Sequence, residues 1–159
     1  MKKNIEKYLT SPFAITLLDE TDSTNSDLKS IADTAKEYTV IAALSQRRGR
    51  GRKNRLFYSP KDCGFYFSIF LKPWCTPDKS VFITTAAAVA VCDAIKDVCG
   101  TEASVKWVND VFIDNKKVCG ILTEASCNPK ENKLDYAEIL IDLVSKQLVF
   151  LLLNLVKLI

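Results

Sequence analysis

At 159 residues the chain fits one domain, and with 48% hydrophobic and 26% charged residues it can bury a core of ordinary size. A formal charge of +3 is too small for a globally basic nucleic-acid binder. Histidine is absent, which excludes Ser-His and Cys-His nucleophilic chemistry and any histidine-ligated metal.

Residues 1–12 are charged and polar, without a secretory signal and without periodicity long enough for a DNA-binding domain. Residues 13–18 read as a first strand. Asp22, Ser23, Thr24 and Asn25 then form a turn of short polar side chains ahead of a helix whose apolar residues include Leu28, Ile31, Ala32 and Ala35. Helix capping by Ser23 or Thr24 accounts for one or two of these four and leaves the rest to face a ligand. Residues 39–45 (TVIAALS) read as a buried strand running straight into QRRGRGRKNRLFYSP, residues 46–60.

Six of the nine residues 47–55 are Arg or Lys, with Gly49 and Gly51 among them. Like charges in a run repel, so the segment does not pack into a core. Glycine lets backbone approach a ligand closely, and guanidinium groups grip phosphate and carboxylate oxygens in pairs. The segment reads as a mobile loop that closes over an anion, a phosphate or an acyl phosphate. On this stretch alone a solvated basic loop, or one touching nucleic-acid phosphates, carries comparable weight.

Residues 64–71 (GFYFSIFL) read as an aromatic-rich strand. Residues 80–98 read as a long helix with Phe82, Ala86, Val89, Ala90, Ala94 and Val98 near helical spacing, ended by Gly100. Residues 104–107 form a short strand carrying Lys106. Residues 111–113 and 117–123 read as a hairpin about Asp114-Asn115, and 134–141 as a further strand. Hairpin-joined strands with two helices predict an α+β domain, a mixed sheet flanked by helices. The six cysteines form no C-x-x-C pair; they read as reduced thiols of a cytoplasmic protein, most of them small buried hydrophobes. Ten of the twelve residues 148–159 are apolar, too short and too interrupted for a membrane span.

Three blocks stand in fixed order: TDSTN at 21–25, QRRGRGRKNR at 46–55, and KWVND with KKVCGILTE at 106–110 and 116–124. In combination they resemble the biotin–protein ligase (biotin–[acetyl-CoA-carboxylase] ligase) family, from about residue 17 to 141. The resemblance implies a biotin/lipoate ligase-like catalytic domain that converts biotin and ATP to biotinyl-5′-AMP. It then transfers biotin to a lysine of a carrier protein, the biotin carrier domain of a carboxylase. Joining a carboxylate to a triphosphate needs fixed positive charge. The resemblance assigns Arg50, Arg52 and Lys106 to catalysis. To biotin it assigns Ser23, Thr24, Asn25, Gln46, Gly49, Arg50, Gly51, Arg52 and Lys106. To the nucleotide it assigns Arg52, Arg55, Lys106 and Gly120. Mg²⁺ accompanies the ATP, with no protein ligand assigned; Asp110 reads equally as a turn residue, Trp107 as a pocket wall or core, and Glu124 stays unassigned. A homodimer is compatible, and neither DNA nor membrane is expected as a partner.

Asn54 stands where the family's loop has a further glycine, Phe57 where it has tryptophan, and Val108 where it has proline. After residue 141 the family continues with a glycine-rich G-x-G-I-N block, whereas this chain reads DLVSKQLVFLLLNLVKLI. The expectation is one domain over 1–159, with 142–159 an atypical tail of a truncated, frame-shifted or diverged form. Neither an N-terminal helix-turn-helix nor a C-terminal barrel is expected. The alternative reading is a biotin-binding module without ligase activity, its nucleotide half incomplete. A nucleic-acid binder and a lipoate ligase are the more distant alternatives.

Overall fold

The computed structural model describes residues 13–144. The lead-in and residues 145–159 of the expected tail therefore lie outside the described residues, whereas Asp142 and Leu143 continue the last strand past its expected end at Ile141. Nine strands and two helices follow in chain order: β1 (Ala14–Leu18), α1 (Thr24–Ser30), β2 (Thr39–Ala43), β3 (Gln46–Arg50), β4 (Leu56–Ser59), β5 (Phe65–Leu71), α2 (Ser80–Cys99), β6 (Ser104–Lys106), β7 (Asp110–Ile113), β8 (Lys116–Asn128) and β9 (Lys133–Leu143). Seven strands form one sheet in the order β1-β2-β5-β9-β8-β7-β6, and β3 pairs with β4 in a separate hairpin. Only β1 and β2 are parallel, with α1 in the connection between them; every other neighbour in the large sheet is antiparallel. The sheet is mixed and flanked by helices, the α+β class expected.

The interior strand β5 is buried along its whole length because both of its faces are covered. Side chains alternate across a strand. Val40, Ala42, Phe65, Phe67, Ile69, Ile139 and Ile141 pack with α2, while Ile41 and Phe70 pack with Leu28 of α1. The α1 face also receives Ser68, Glu138 and Asp142, all buried polar side chains. One face of the sheet is thus an apolar core, and the other holds polar groups out of water. Fully burying a side chain of Leu28's size contributes about 2–3 kcal/mol, so Leu28 anchors the short α1 despite its seven residues.

Several local expectations hold for a stated reason. Asp114 and Asn115 both take positive φ, 48° and 61°, the geometry of a two-residue hairpin turn that matches strand twist. Gly100 ends α2 at φ 65°, its N–H bonded to the Lys96 carbonyl at 2.8 Å.

Others are corrected. The helix after Asn25 stops at Ser30; the N–H groups of Ile31, Ala32 and Thr34 bond three residues back instead of four. The segment 46–60 is a hairpin with a bulge between Gln46 and Gly49: those two residues are buried while the adjacent Arg47 and Arg48 are both exposed, so the bulge turns the charges out of the core. The buried face of α2 is Ala87, Ala88, Ala90, Val91, Ala94 and Ile95, whereas Phe82, Ala86 and Val89 are exposed. The first half of α2 is apolar on all sides, so spacing alone could not choose the face. Trp107 is exposed, so it is no part of the core. Of the six cysteines only Cys119 is buried, though all six are free thiols.

Candidate functional site

Backbone pairing first brings the two polar blocks together. The N–H groups of Arg47 and Arg48 bond to the carbonyls of Thr21 and Asp22 at 2.9 and 2.8 Å, so the start of β3 runs beside the turn that opens α1. Outside, Arg47 pairs with Asp22 at 2.7 Å and Glu20 at 3.6 Å. Arg47 is thus paired with acidic neighbours on the outer face of the hairpin.

Inside, Gln46 is a hub. Its Oε1 accepts from the Thr24 N–H at 2.9 Å and from Thr24 Oγ1 at 3.2 Å. Its Nε2 donates to Ser59 Oγ at 3.1 Å and to Asp142 Oδ1 at 2.9 Å. An amide offers two donors and two acceptor sites, so Gln46 is satisfied within the protein. Thr24 is likewise engaged, its hydroxyl 2.9 Å from Ser68 Oγ. Ser23 and Asn25 differ. Ser23 occupies the N-cap position of α1 but makes no capping bond, and its buried Oγ has no partner; neither has Asn25 Oδ1. Buried polar groups without partners are rare and costly. Capping therefore does not account for Ser23, and these two acceptors are the unclaimed polar groups of the block.

Asn25 does use its Nδ2, which donates to Glu124 Oε2 at 2.6 Å. Arg50 grips the same carboxylate with both terminal nitrogens, each bond 2.9 Å. Glu124 lies directly across the β8–β9 ladder from Glu138, whose buried Oε1 is also unpartnered. Burial pushes the Glu138 carboxyl up to about 7, with Lys29 opposing the shift and Glu124 adding to it. Burial likewise pushes Asp142 up to about 7, against the Gln46 hydrogen bond and the nearby Lys117 ammonium.

Two open cavities flank the turn of the hairpin. One, about 330 Å³, is lined by Ser23, Ser26, Arg48, Arg50 and Arg55 among others. The second, about 360 Å³, is lined by Arg52, Lys53, Arg55, Asn109, Asp110 and Lys117 among others. Both share Gly51, Arg55 and Leu56. Arg52 reaches Asn109 Oδ1 at 3.1 Å, and Lys117 pairs with Asp110 at 2.8 Å. Gly49 is buried where a Cβ would come within 2.5 Å of the Phe57 carbonyl oxygen and Ser59 Oγ. Gly120 is buried against the Phe57 ring and Lys117, so its backbone meets the hairpin closely. A smaller space of about 40 Å³ adjoins both cavities, bounded by Arg50, Gly120, Leu122, Leu140 and Asp142 among others.

Lys106 is the assigned residue that the fold holds apart. It shares a cross-strand row with Asp110, Gly120 and Asp142, but it is exposed, lines neither open cavity, and sets its ammonium 5.4 Å from the centre of the Phe112 ring. Glu124, Ser59, Ser68 and Asp142 join the site without having been assigned to it. For Glu124 the GILTE block was a signal; for the others only the strand register was.

A family model described as the biotin/lipoate A/B protein ligase family matches residues 17–143. The bifunctional ligase/repressor BirA of Bacillus subtilis is 40% identical over 90 residues, 57% of this chain and 28% of that protein. A biotin–[acetyl-CoA-carboxylase] ligase of Paracoccus denitrificans is 34% identical over 112 residues, 69% of this chain and 46% of the relative. The matched stretch is thus less than half the length of either relative. Among solved structures, the biotin protein ligase of Aquifex aeolicus in complex with biotin and ATP superposes with a TM-score of 0.73 at 25% identity, covering 91% of this chain and 67% of that one. The Leishmania major enzyme in complex with biotinyl-5-AMP has the same fold, with a TM-score of 0.69 at 24% identity over 84% of this chain and 57% of its own.

Proposed function

The chain belongs to the biotin/lipoate A/B protein ligase family, and from that premise we propose that it carries the catalytic domain of a biotin–protein ligase. In this reading biotin and ATP are joined as biotinyl-5′-AMP, and the biotinyl group passes to a lysine of a carboxylase's carrier domain. The observation that carries it is the pair of buried, unclaimed acceptors, Ser23 Oγ and Asn25 Oδ1. A ureido ring offers N–H donors to such acceptors, and burying an unmatched polar atom costs about 1–3 kcal/mol unless a ligand supplies the partner.

The roles then follow from position. Gln46 and Thr24 hold the α1 turn against the sheet, leaving Ser23 and Asn25 to read the ring. Gly49 and Gly51 bring hairpin backbone close to the ligand. Arg50 stands beside the ring-reading pair, while Arg52, Arg55 and Lys117 supply positive charge for the triphosphate in the larger cavity. Such fixed charge is worth about 10²–10³ in rate per group where it meets developing negative charge. Lys106 joins them by swinging off Phe112 along its row. Gly120 keeps the small space beside Asp142 and Leu140 free of one more side chain. Mg²⁺ fits as an ion carried by the phosphates: Asp110, the carboxylate lining the larger cavity, is engaged by Lys117 and Asn109, and among the described residues no group of three acidic or cysteine side chains is arranged to hold a metal. No helix among the described residues is long and apolar enough to cross a membrane; a cytoplasmic enzyme acting on a carrier domain is the reading in keeping with free thiols.

The test is transfer of labelled biotin to a carrier domain with ATP and Mg²⁺, alongside calorimetry with biotin and with biotinyl-5′-AMP. An active ligase forms product and binds the adenylate far more tightly. Absence of both biotin binding and transfer sinks the reading. A second reading, biotin binding without ligation, is favoured by Asp142 and Leu140: they stand at the end of β9, close to the place of the family's glycine-rich block, and their side chains bound a space of only about 40 Å³. Binding of biotin with no gain for the adenylate would select it.

A further inference from the structure

Glu124 makes no part of the chemistry assigned above, yet its carboxylate is where three elements meet. It lies on β8, receives both terminal nitrogens of Arg50 from β3 at 2.9 Å, and receives Asn25 Nδ2 from α1 at 2.6 Å. We propose that Glu124 is a positioning residue that sets the orientation of the Asn25 amide and the Arg50 guanidinium together, making Asn25 an acceptor and Arg50 a fixed cation for the ligand. The inference rests on the biotin-ligase reading and adds a residue to it.

The orientation follows from donor and acceptor chemistry. A carboxylate accepts and cannot donate. The Asn25 amide must therefore turn its nitrogen to Glu124, which leaves Oδ1 on the other side, buried and without a protein partner. An asparagine with no such anchor could present either end to the ligand. Arg50 is held through one edge of its fork, in the bidentate geometry that restricts a guanidinium most. Its Nε edge makes no bond to Glu124. A single carboxylate thus fixes an acceptor for ring N–H groups and a cation close beside it. Glu138 lies directly opposite on β9 and makes no hydrogen bond to Glu124, so Asn25 and Arg50 are the side-chain partners of Glu124 among the described residues.

The test is a double-mutant cycle on the full chain, read by calorimetry with biotin. Glu124→Gln keeps the shape but turns one acceptor into a donor facing donors. We expect it to weaken biotin binding at least tenfold, and the Asn25→Ala/Glu124→Gln protein to lose at least threefold less than the product of the two single losses. Unchanged binding by Glu124→Gln, or losses that multiply to within threefold, overturns the proposal. A second measurement needs no variant: the Asn25 side-chain amide protons of the wild-type protein should exchange slowly with water, and fast exchange also overturns it. Wild-type protein that fails to bind biotin removes the functional reading itself. Wild-type binding with a Glu124→Gln variant of equal affinity removes only the role of Glu124.

Discussion

Gln46 Nε2 donates to Asp142 Oδ1 at 2.9 Å, joining the first residue of the arginine hairpin to the far end of β9 beneath α1. That carboxyl is held out of water beside one amide, and burial pushes its pKa up from 3.8 to about 7. Glu138 is raised from 4.5 to about 7 in the same layer.

The pH dependence of stability follows. Folded-state values above the unfolded ones mean that the folded protein binds more protons between about pH 4 and pH 7, so its stability falls as pH rises through that window and levels off above it. The urea midpoint should be higher at about pH 5 than at about pH 8. Asp142→Asn keeps an acceptor for Gln46 but cannot ionise, so its profile should be flatter and its midpoint at the higher pH raised. A wild-type midpoint that climbs across the same range contradicts this account.

Ser23→Ala should behave unlike an ordinary N-cap substitution. Removing a working cap costs about 1 kcal/mol, but Ser23 makes no capping bond and its hydroxyl is buried without a partner. We expect unchanged or slightly higher thermal stability together with biotin affinity lowered about tenfold, the loss of one ligand hydrogen bond at about 1.4 kcal/mol. Differential scanning calorimetry and titration on the same sample separate the two effects; a destabilised variant that binds normally would return Ser23 to a capping role.

The two hairpin glycines should part company. At Gly49 a Cβ meets a backbone oxygen at 2.5 Å, whereas at Gly51 the nearest atom is the Arg55 carbonyl oxygen at 3.3 Å. Overpacking against backbone costs about 1–3 kcal/mol, so Gly49→Ala should lower the urea midpoint clearly and Gly51→Ala barely. Equal midpoints for the two variants would show that the hairpin is looser than its geometry implies.

Lys106→Ala tests the one assigned residue that stands apart. Its side chain is exposed and sets its ammonium over the Phe112 ring, so stability should stay within about 0.5 kcal/mol. If Lys106 meets the phosphate in the working complex, biotin-dependent pyrophosphate exchange should fall about 10²-fold or more with little change in biotin affinity. Exchange at the wild-type rate would remove Lys106 from the catalytic set.

Much of the fold was legible because its signals are local. The β7–β8 turn follows from Asp114-Asn115, the end of α2 from Gly100, and the strand character of β5 from seven residues rich in aromatic and β-branched side chains. The buried face of α2 was not legible, since apolar residues surround its first half and only the sheet beneath selects Ala87, Val91 and Ile95. The hairpin at 46–59 was hidden for a related reason: charge density and a bulge at Arg47-Arg48 break the period-two pattern, and the strand is held only because Gln46 has Thr24 and Asp142 to bond.

Sequence alone determined the blocks of this protein, their order and the family they mark, because those are properties of residue type and spacing. Tertiary structure alone decided which polar side chains are spent and which are free. Thr24 is consumed by a partner 44 residues away, Gln46 by one 96 residues away, and Asn25 is oriented by one 99 residues away. A side chain's hydrogen-bonding capacity is finite, and what remains for a ligand is known only once distant strands have taken their share.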